Sequence, residues 1–192
     1  MIPKSLLIGV TGTPAVGKST FAADIAKKIG AELIEVNDIV QKFRLFSGKD
    51  PDGTKIVRMN ALSSKLEELA NGRKGHMILV GHLLPDLDVT PDLMVVVRAP
   101  LGLLLSRMEG RGYGKEKIRE NIIAESVDYC GDRSKARHIA AYEVETDAEK
   151  EALMDYIGAI AAGRRADEPK STEPRRLEEL MELAWGENEY GF

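Results

Sequence analysis

This sequence predicts a three-layer α/β fold on a five-stranded parallel sheet, and three observations carry the prediction. A glycine-rich run, Gly12-Thr13-Pro14-Ala15-Val16-Gly17-Lys18-Ser19-Thr20, lies between an apolar stretch and a segment of helical spacing. Short apolar stretches then alternate with helix-patterned segments along the rest of the chain. Two of those stretches, Met77–Val80 and Leu93–Val97, are continuously apolar, as strands covered on both faces by helices are.

The elements follow in order. Leu6–Val10 reads as the first strand, and Phe21, Ala22, Ile25, Ala26 and Ile29 fall on one face of a helix that Gly30 stops. Glu32–Val36 is a second strand, after which Asn37-Asp38 cap a helix to about Phe46. Ser47–Gly53, dense in Gly, Asp and Pro, reads as turn. Asn60 reads as the cap of a helix with Leu62, Leu66, Leu69 and Ala70 on one face. After the two apolar strands, Pro100 opens a helix where its missing N–H costs nothing, with Leu101, Leu104, Leu105 and Met108 as its inner stripe. Beyond the glycine-interrupted Gly110–Gly114, a long helix to about Arg137, a fifth strand at His138–Val144 and a closing helix at Ala148–Ala162 complete a doubly wound sheet. Such sheets bind ligands at the carboxyl ends of their strands, where the glycine-rich run sits.

Composition sets limits. A chain of 192 residues, 43% hydrophobic, buries one core, and a net charge of −4 supplies no global basic field for nucleic acid. The single cysteine, Cys130, admits no intramolecular disulfide and reads as a small apolar filler in a reducing compartment. The first residues are too short and interrupted for a secretory signal, and no stretch approaches the roughly 18 apolar residues of a membrane span, so a cytoplasmic protein without membrane contact is expected.

The run at Gly12–Thr20 matches GxxxxGK[ST], a phosphate-binding loop. Its glycines let successive N–H groups turn into one anion-sized hollow that side chains would block. Lys18 reaches the β- and γ-phosphates of ATP, Ser19 offers a hydroxyl to Mg²⁺, and the helix beginning near Lys18 aims its positive end at the same anion. This makes the fold that of a P-loop NTPase. Arg107 and Arg111 lie four residues apart, on one side of a helix, and the glycines at 110, 112 and 114 loosen the adjoining segment. Beside a phosphate loop such a segment reads as a lid whose guanidinium groups cover the migrating phosphoryl group. Its plain alternative is a solvated arginine pair at a helix end.

Taken together, the loop GTPAVGKST, Val36-Asn37-Asp38, and Leu105-Ser106-Arg107-Met108-Glu109-Gly110-Arg111-Gly112-Tyr113 with Lys117, Glu120-Asn121 and Glu125 resemble the adenylate-kinase-related P-loop ATPases of archaea and eukaryotic nuclei, the family of adenylate kinase isoenzyme six. The resemblance spans about residues 5 to 160. It implies a nucleoside monophosphate kinase-like core over 1–163, with a helical acceptor-binding insertion at 38–71 and a short lid at 107–116, followed by a charged linker and helical extension at 164–192. It implies transfer of the γ-phosphoryl of ATP to AMP, giving two ADP, with ATPase activity. The alternative it carries is an ATPase assembly factor in small-ribosomal-subunit maturation, with a ribosomal protein or pre-ribosomal RNA as partner.

Within that frame Lys18, Arg107, Arg111 and His82 are the catalytic candidates, Asp38, Lys42 and Arg44 the acceptor-binding ones, and Ser19 and Asp38 the metal-holding ones. Asp38 reads equally as a holder of Mg²⁺-bound water and as a helix cap. His82 either orients a water near the γ-phosphate or makes a loop backbone bond. Two departures stand out. Gln41 occupies a position that is often basic in the family, and Gly81 stands where the third strand commonly ends in an acidic residue, leaving Asp86 as the next carboxylate. The C-terminal piece with Leu177, Leu180, Met181, Leu183, Ala184 and Trp185 is amphipathic and docks either on its own domain or on a partner.

Overall fold

The apolar runs become one parallel sheet of five strands, with the first strand of the chain at its centre. In this computed structural model residues 5–49, 53, 55–137, 140–169, 176–185 and 190 are described. Strands β1 (Leu7–Thr11), β2 (Glu32–Glu35), β5 (Met77–Val80), β6 (Leu93–Val97) and β7 (Ala141–Val144) form the sheet. Helices α1 (Lys18–Ile29), α4 (Leu101–Gly110), α5 (Lys115–Ser126) and α7 (Asp147–Ala161) cover one face, and α2 (Val36–Lys42) and α3 (Met59–Asn71) the other. Side-chain alternation explains the two cores. Ile8, Val10, Ile78, Val80, Leu93, Val95 and Val97 enter the first, and Leu7, Met77, Leu79 and Met94 the second. From β1 the sheet continues through β5 to β2 on one side and through β6 to β7 on the other, which puts the loop after β1 at the switch point of the topology.

Several boundaries depart from the expected ones. The helix after β2 begins at Val36 and ends at Lys42, with no side-chain cap, so Asn37 and Asp38 lie inside its first turn instead of capping it. The segment expected as plain turn holds an antiparallel hairpin, β3 (Phe46–Lys49) with β4 (Lys55–Val57). Its strands are too short for a period to register in sequence, and Phe46 and Val57 gain their apolar partners only from the second core. Helix α3 begins at Met59 with Arg58 as its N-cap residue, two positions before Asn60, again without a side-chain cap.

The long helix expected up to Arg137 breaks at Asp128, whose φ of 56° is left-handed, and resumes as α6 (Tyr129–Arg137). Asp128 accepts the Gly131 N–H at 3.1 Å and pairs with the Arg98 guanidinium, so a buried arginine at the end of β6 sets the break. His138 and Ile139 of the expected fifth strand lie outside the described residues. Helix α7 starts at Asp147, under a capping box between Thr146 and Glu149. The extension forms α8 (Arg176–Trp185), which packs on α4 and α5 through Leu180 and Leu183. Its Glu179 carboxylate accepts the Leu101 N–H at 2.6 Å, capping the start of α4. The extension thus docks on its own domain; the side chains of Leu177, Ala184 and Trp185 lie outside the described residues. Among the described residues no helix is long and apolar enough to cross a membrane.

Candidate active site

The loop between β1 and α1 is held from three sides. Gly12 has φ 140°, and a Cβ there would lie 2.2 Å from the Val97 carbonyl oxygen, so only glycine brings the loop this close to β6. Ala15 takes a left-handed φ of 73°, a conformation that needs outside support. Arg107 supplies it, its Nη1 donating to the Ala15 and Val16 carbonyls at 3.3 and 3.1 Å. From below, the Thr13 hydroxyl donates to Glu125 at 2.5 Å. Glu125 is itself buried beside Arg98, 3.6 Å from Nη1, and Arg98 Nε donates to Glu143 at 2.6 Å. One ionic network therefore ties the loop to α5, β6 and β7.

The first turn of α1 has no acidic residue and no side-chain cap, so its N–H groups and the positive end of its dipole face open space. Lys18 stretches back to the Thr13 carbonyl at 3.4 Å. Burial pulls its ammonium below the ordinary lysine value and Arg111 adds to this, against Cys130, Glu35 and Glu125. A half-buried cation at an uncapped helix start is a site that an anion completes.

A cavity of about 740 Å³ opens in front of this loop. Pro14, Ala15, Lys18 and Ser19 form its floor; Arg111, Tyr113, Lys117, Glu120 and Asn121 come from the α4–α5 turn and α5. Glu35, Asn37, Val40 and Gln41 come from the β2–α2 junction and α2, and Lys55, Val57 and Met59 from the hairpin and the start of α3. Gly81, His82 and Leu83 close it behind β5. Lys117 lies 5.3 Å from the centre of the Tyr113 ring, which fixes both side chains at the rim.

Of the expected catalytic residues, Lys18, Arg111 and His82 line the cavity together, while Arg107 is turned to the loop backbone. Burial lowers the His82 pKa to about 4, helped by Lys18 and Lys117 and opposed by Asp86. The imidazole is therefore neutral near pH 7 and can orient a partner but adds no charge. Asp86 is drawn off to Arg133 at 2.7 Å and to the Tyr129 hydroxyl at 3.1 Å, away from the cavity. Gly81 is buried, and a Cβ there would meet Val36 Cβ at 2.8 Å. The carboxylate absent from this strand end has no room, because α2 begins immediately against it.

The expected acceptor residues are placed differently. Asp38, Lys42 and Arg44 are exposed and line no part of the cavity. With α2 starting at Val36, Asn37 and Gln41 share the cavity face one turn apart, and the next residues, Asp38 and Lys42, rotate about 100° away from it. Lys42 stacks over Phe43 at 5.6 Å, and the Arg44 carbonyl accepts from Arg58 at 3.0 Å. Asp38 is thus not brought to the metal position, and Glu35 is the carboxylate of β2 that reaches the cavity. Among the described residues no group of three His, Cys, Asp or Glu side chains could hold a metal. The donor set at the loop, one serine hydroxyl beside a polyphosphate cradle, fits a Mg²⁺ shared with nucleotide oxygens. Lys55 and Met59 had no signal in sequence, since only the hairpin brings them here. The role of Glu125 likewise shows only in the fold, where it lies beneath Thr13. Cys130 is buried as expected, its thiol pushed up by burial first and by Glu125 next.

A family model described as an AAA domain matches residues 8–128. A protein of Pyrococcus abyssi named "Putative adenylate kinase" is 36% identical over 160 residues, covering 82% of this chain and 86% of its own length. A protein of the same name from Methanocaldococcus jannaschii is 33% identical over 152 residues, covering 78% of this chain and 82% of that one. Among solved structures, a shikimate kinase from Acinetobacter baumannii in complex with shikimate superimposes with a TM-score of 0.56 at 14% identity, covering 86% of this chain and 100% of that one. A shikimate kinase from Bacteroides thetaiotaomicron gives 0.54 at 16% identity, over 79% and 96%. At these identities the two structures speak for the fold, which is that of small P-loop kinases.

Proposed function

This chain belongs to the adenylate-kinase-related P-loop family, a phosphotransferase family, and from that premise we propose that it transfers the γ-phosphoryl group of Mg·ATP to a nucleoside monophosphate, AMP foremost. The observation that carries the reading is a single cavity running from Lys18 and Ser19 to a second wall built by α2 and the β3–β4 hairpin. A hydrolase for ATP alone has no use for that wall. Val40, Val57 and Met59 offer a base an apolar surface, and the amides of Asn37 and Gln41 can match its polar edge.

In the reaction an oxygen of the acceptor phosphate forms a bond to the γ-phosphorus as the bond to the β–γ bridging oxygen breaks, leaving ADP and a nucleoside diphosphate. The attacking oxygen is already ionised, so no general base is required. Positioning and electrostatics remain for the protein to supply. The loop amides and Lys18 hold the β- and γ-phosphates. The Ser19 hydroxyl would hold a Mg²⁺ arriving with the nucleotide, and the ion would supply charge neutralisation on the polyphosphate. Arg111 and Lys117 stand over the transferred group from the α4–α5 side, and Tyr113 at the rim helps to exclude water. Neutral His82 lies behind the γ-position and orients oxygen without adding charge.

The test is to incubate the protein with ATP and Mg²⁺, with each nucleoside monophosphate in turn, and to follow ADP and inorganic phosphate. ADP formation that depends on AMP supports the reading. Phosphate release indifferent to every acceptor replaces it with an ATPase.

A further inference from the structure

The geometry points to Lys55 as the residue that binds the anionic group of the acceptor, supplying from the hairpin the cation that the cavity face of α2 lacks. This deepens the proposed phosphotransfer and rests on that reading for the identity of the acceptor. The cavity-facing residues of α2 are Asn37, Val40 and Gln41, all uncharged, and the nearby cations Lys42, Arg44 and Arg58 are exposed and line no part of the cavity. Lys55 reaches across from β4 so that its ammonium donates to the Gln41 side-chain oxygen and stands over the Phe46 ring at 4.3 Å. Two contacts hold a flexible side chain in place, which lowers the ordering cost of binding an anion there. It is half-buried and, among the described residues, makes no ion pair.

The other cations on the cavity wall are Lys18, Arg111 and Lys117, which come from the loop, the α4–α5 turn and α5. These serve the polyphosphate tail. Lys55 is carried by the opposite structural unit, next to the apolar Val57 and Met59, and so leaves the donor's charge already matched. The group it suits is a phosphate monoester attached to a partly apolar body, which is what a nucleoside monophosphate presents. A nucleoside without phosphate makes the apolar contacts and forgoes the charged one.

Calorimetry separates these contributions. The donor site is filled with Mg²⁺ and a non-hydrolysable ATP analogue, and AMP and adenosine are titrated into the wild-type chain, Lys55→Met and Lys55→Arg. Wild type is expected to bind AMP about tenfold or more tightly than adenosine, the effect of one charge-assisted contact. Lys55→Met should lose that preference through weaker AMP binding, with adenosine little changed, and Lys55→Arg should keep most of it. A merely structural role weakens both ligands alike and leaves their ratio intact. An unaltered AMP-to-adenosine ratio in Lys55→Met overturns the assignment, as does a wild-type chain that binds AMP no better than adenosine or binds neither. AMP-dependent ADP formation, followed separately, tests phosphotransfer itself. Its absence beside a ratio that still depends on Lys55 removes the proposed reaction and leaves the binding assignment standing.

Discussion

The two sides of the cavity are built differently. On the donor side the loop is clamped by Arg107, by Thr13 on Glu125 and by the close packing of Gly12 on Val97, all tied to the central strand of a buried sheet. On the acceptor side a seven-residue helix and a two-stranded hairpin carry the wall, with Phe43 and Ile56 exposed at 39% and 50%. Two short strands alone are marginal, and what steadies this hairpin is its contact with the second core through Phe46 and Val57. The difference teaches that, in the proposed reaction, the polyphosphate would meet a surface held by many buried contacts, while the acceptor would meet a wall held by fewer. Such an arrangement favours closure of the acceptor wall over a donor already in place.

Substitutions at the two sides should separate accordingly. The largest effect belongs to Lys18→Ala, which should lower kcat by about 10²–10³-fold in a coupled ADP assay with the melting temperature little altered. Turnover like that of the wild type would dismiss the loop as the reaction centre. Next comes Glu125→Ala, which leaves Arg98 with one buried partner fewer and the Thr13 hydroxyl without its acceptor. A loss of about 3–5 kcal/mol in denaturant unfolding is expected, together with weaker ATP binding. If stability falls and nucleotide affinity does not, the clamp is no part of the donor site.

Gly81→Asp sharpens the comparison at the junction of the two sides. Restoring an acidic residue there drives its Cβ into Val36, so a loss of about 1–3 kcal/mol and no gain in turnover are expected, read by urea unfolding and the same assay. His82 yields a smaller, pH-dependent term. Its folded pKa of about 4 lies below the ordinary 6.5, so the unfolded chain takes up the proton first. Stability is then fully present above pH 6.5 and falls as the pH drops toward 4. His82→Gln should flatten that part of the urea-midpoint profile. The smallest effect is expected at Ile56→Ala on the exposed face of the hairpin, within about 0.5 kcal/mol by thermal melting. A large loss there would show the acceptor wall to be as rigid as the donor side.

Residues close together in sequence were the ones read correctly. The phosphate loop, the helix behind it and the apolar central strands are local patterns, and each forms where the pattern lies. Arg111 and His82 line the cavity, and Cys130 is buried. The acceptor candidates Asp38, Lys42 and Arg44 were instead what the family resemblance implied for the segment after the second strand. There a shift in the start of α2 was enough to exchange Asp38 and Lys42 for Asn37 and Gln41, because each residue along a helix turns about 100°. The break at Asp128 escaped notice because its cause, Arg98, lies on another element thirty residues earlier in the chain.

The sequence by itself determined a P-loop α/β fold on a parallel sheet, since hydrophobic period, glycine placement and the lysine–serine pair act within a few residues of one another. Tertiary structure alone decided which side chains complete the cavity. Glu125 lies under Thr13, Arg107 turns to the loop backbone, and Lys55 sits on Gln41, all through contacts between residues 14 to 112 positions apart. No local preference encodes such pairings; they exist because packing two cores against one sheet brings those backbones together.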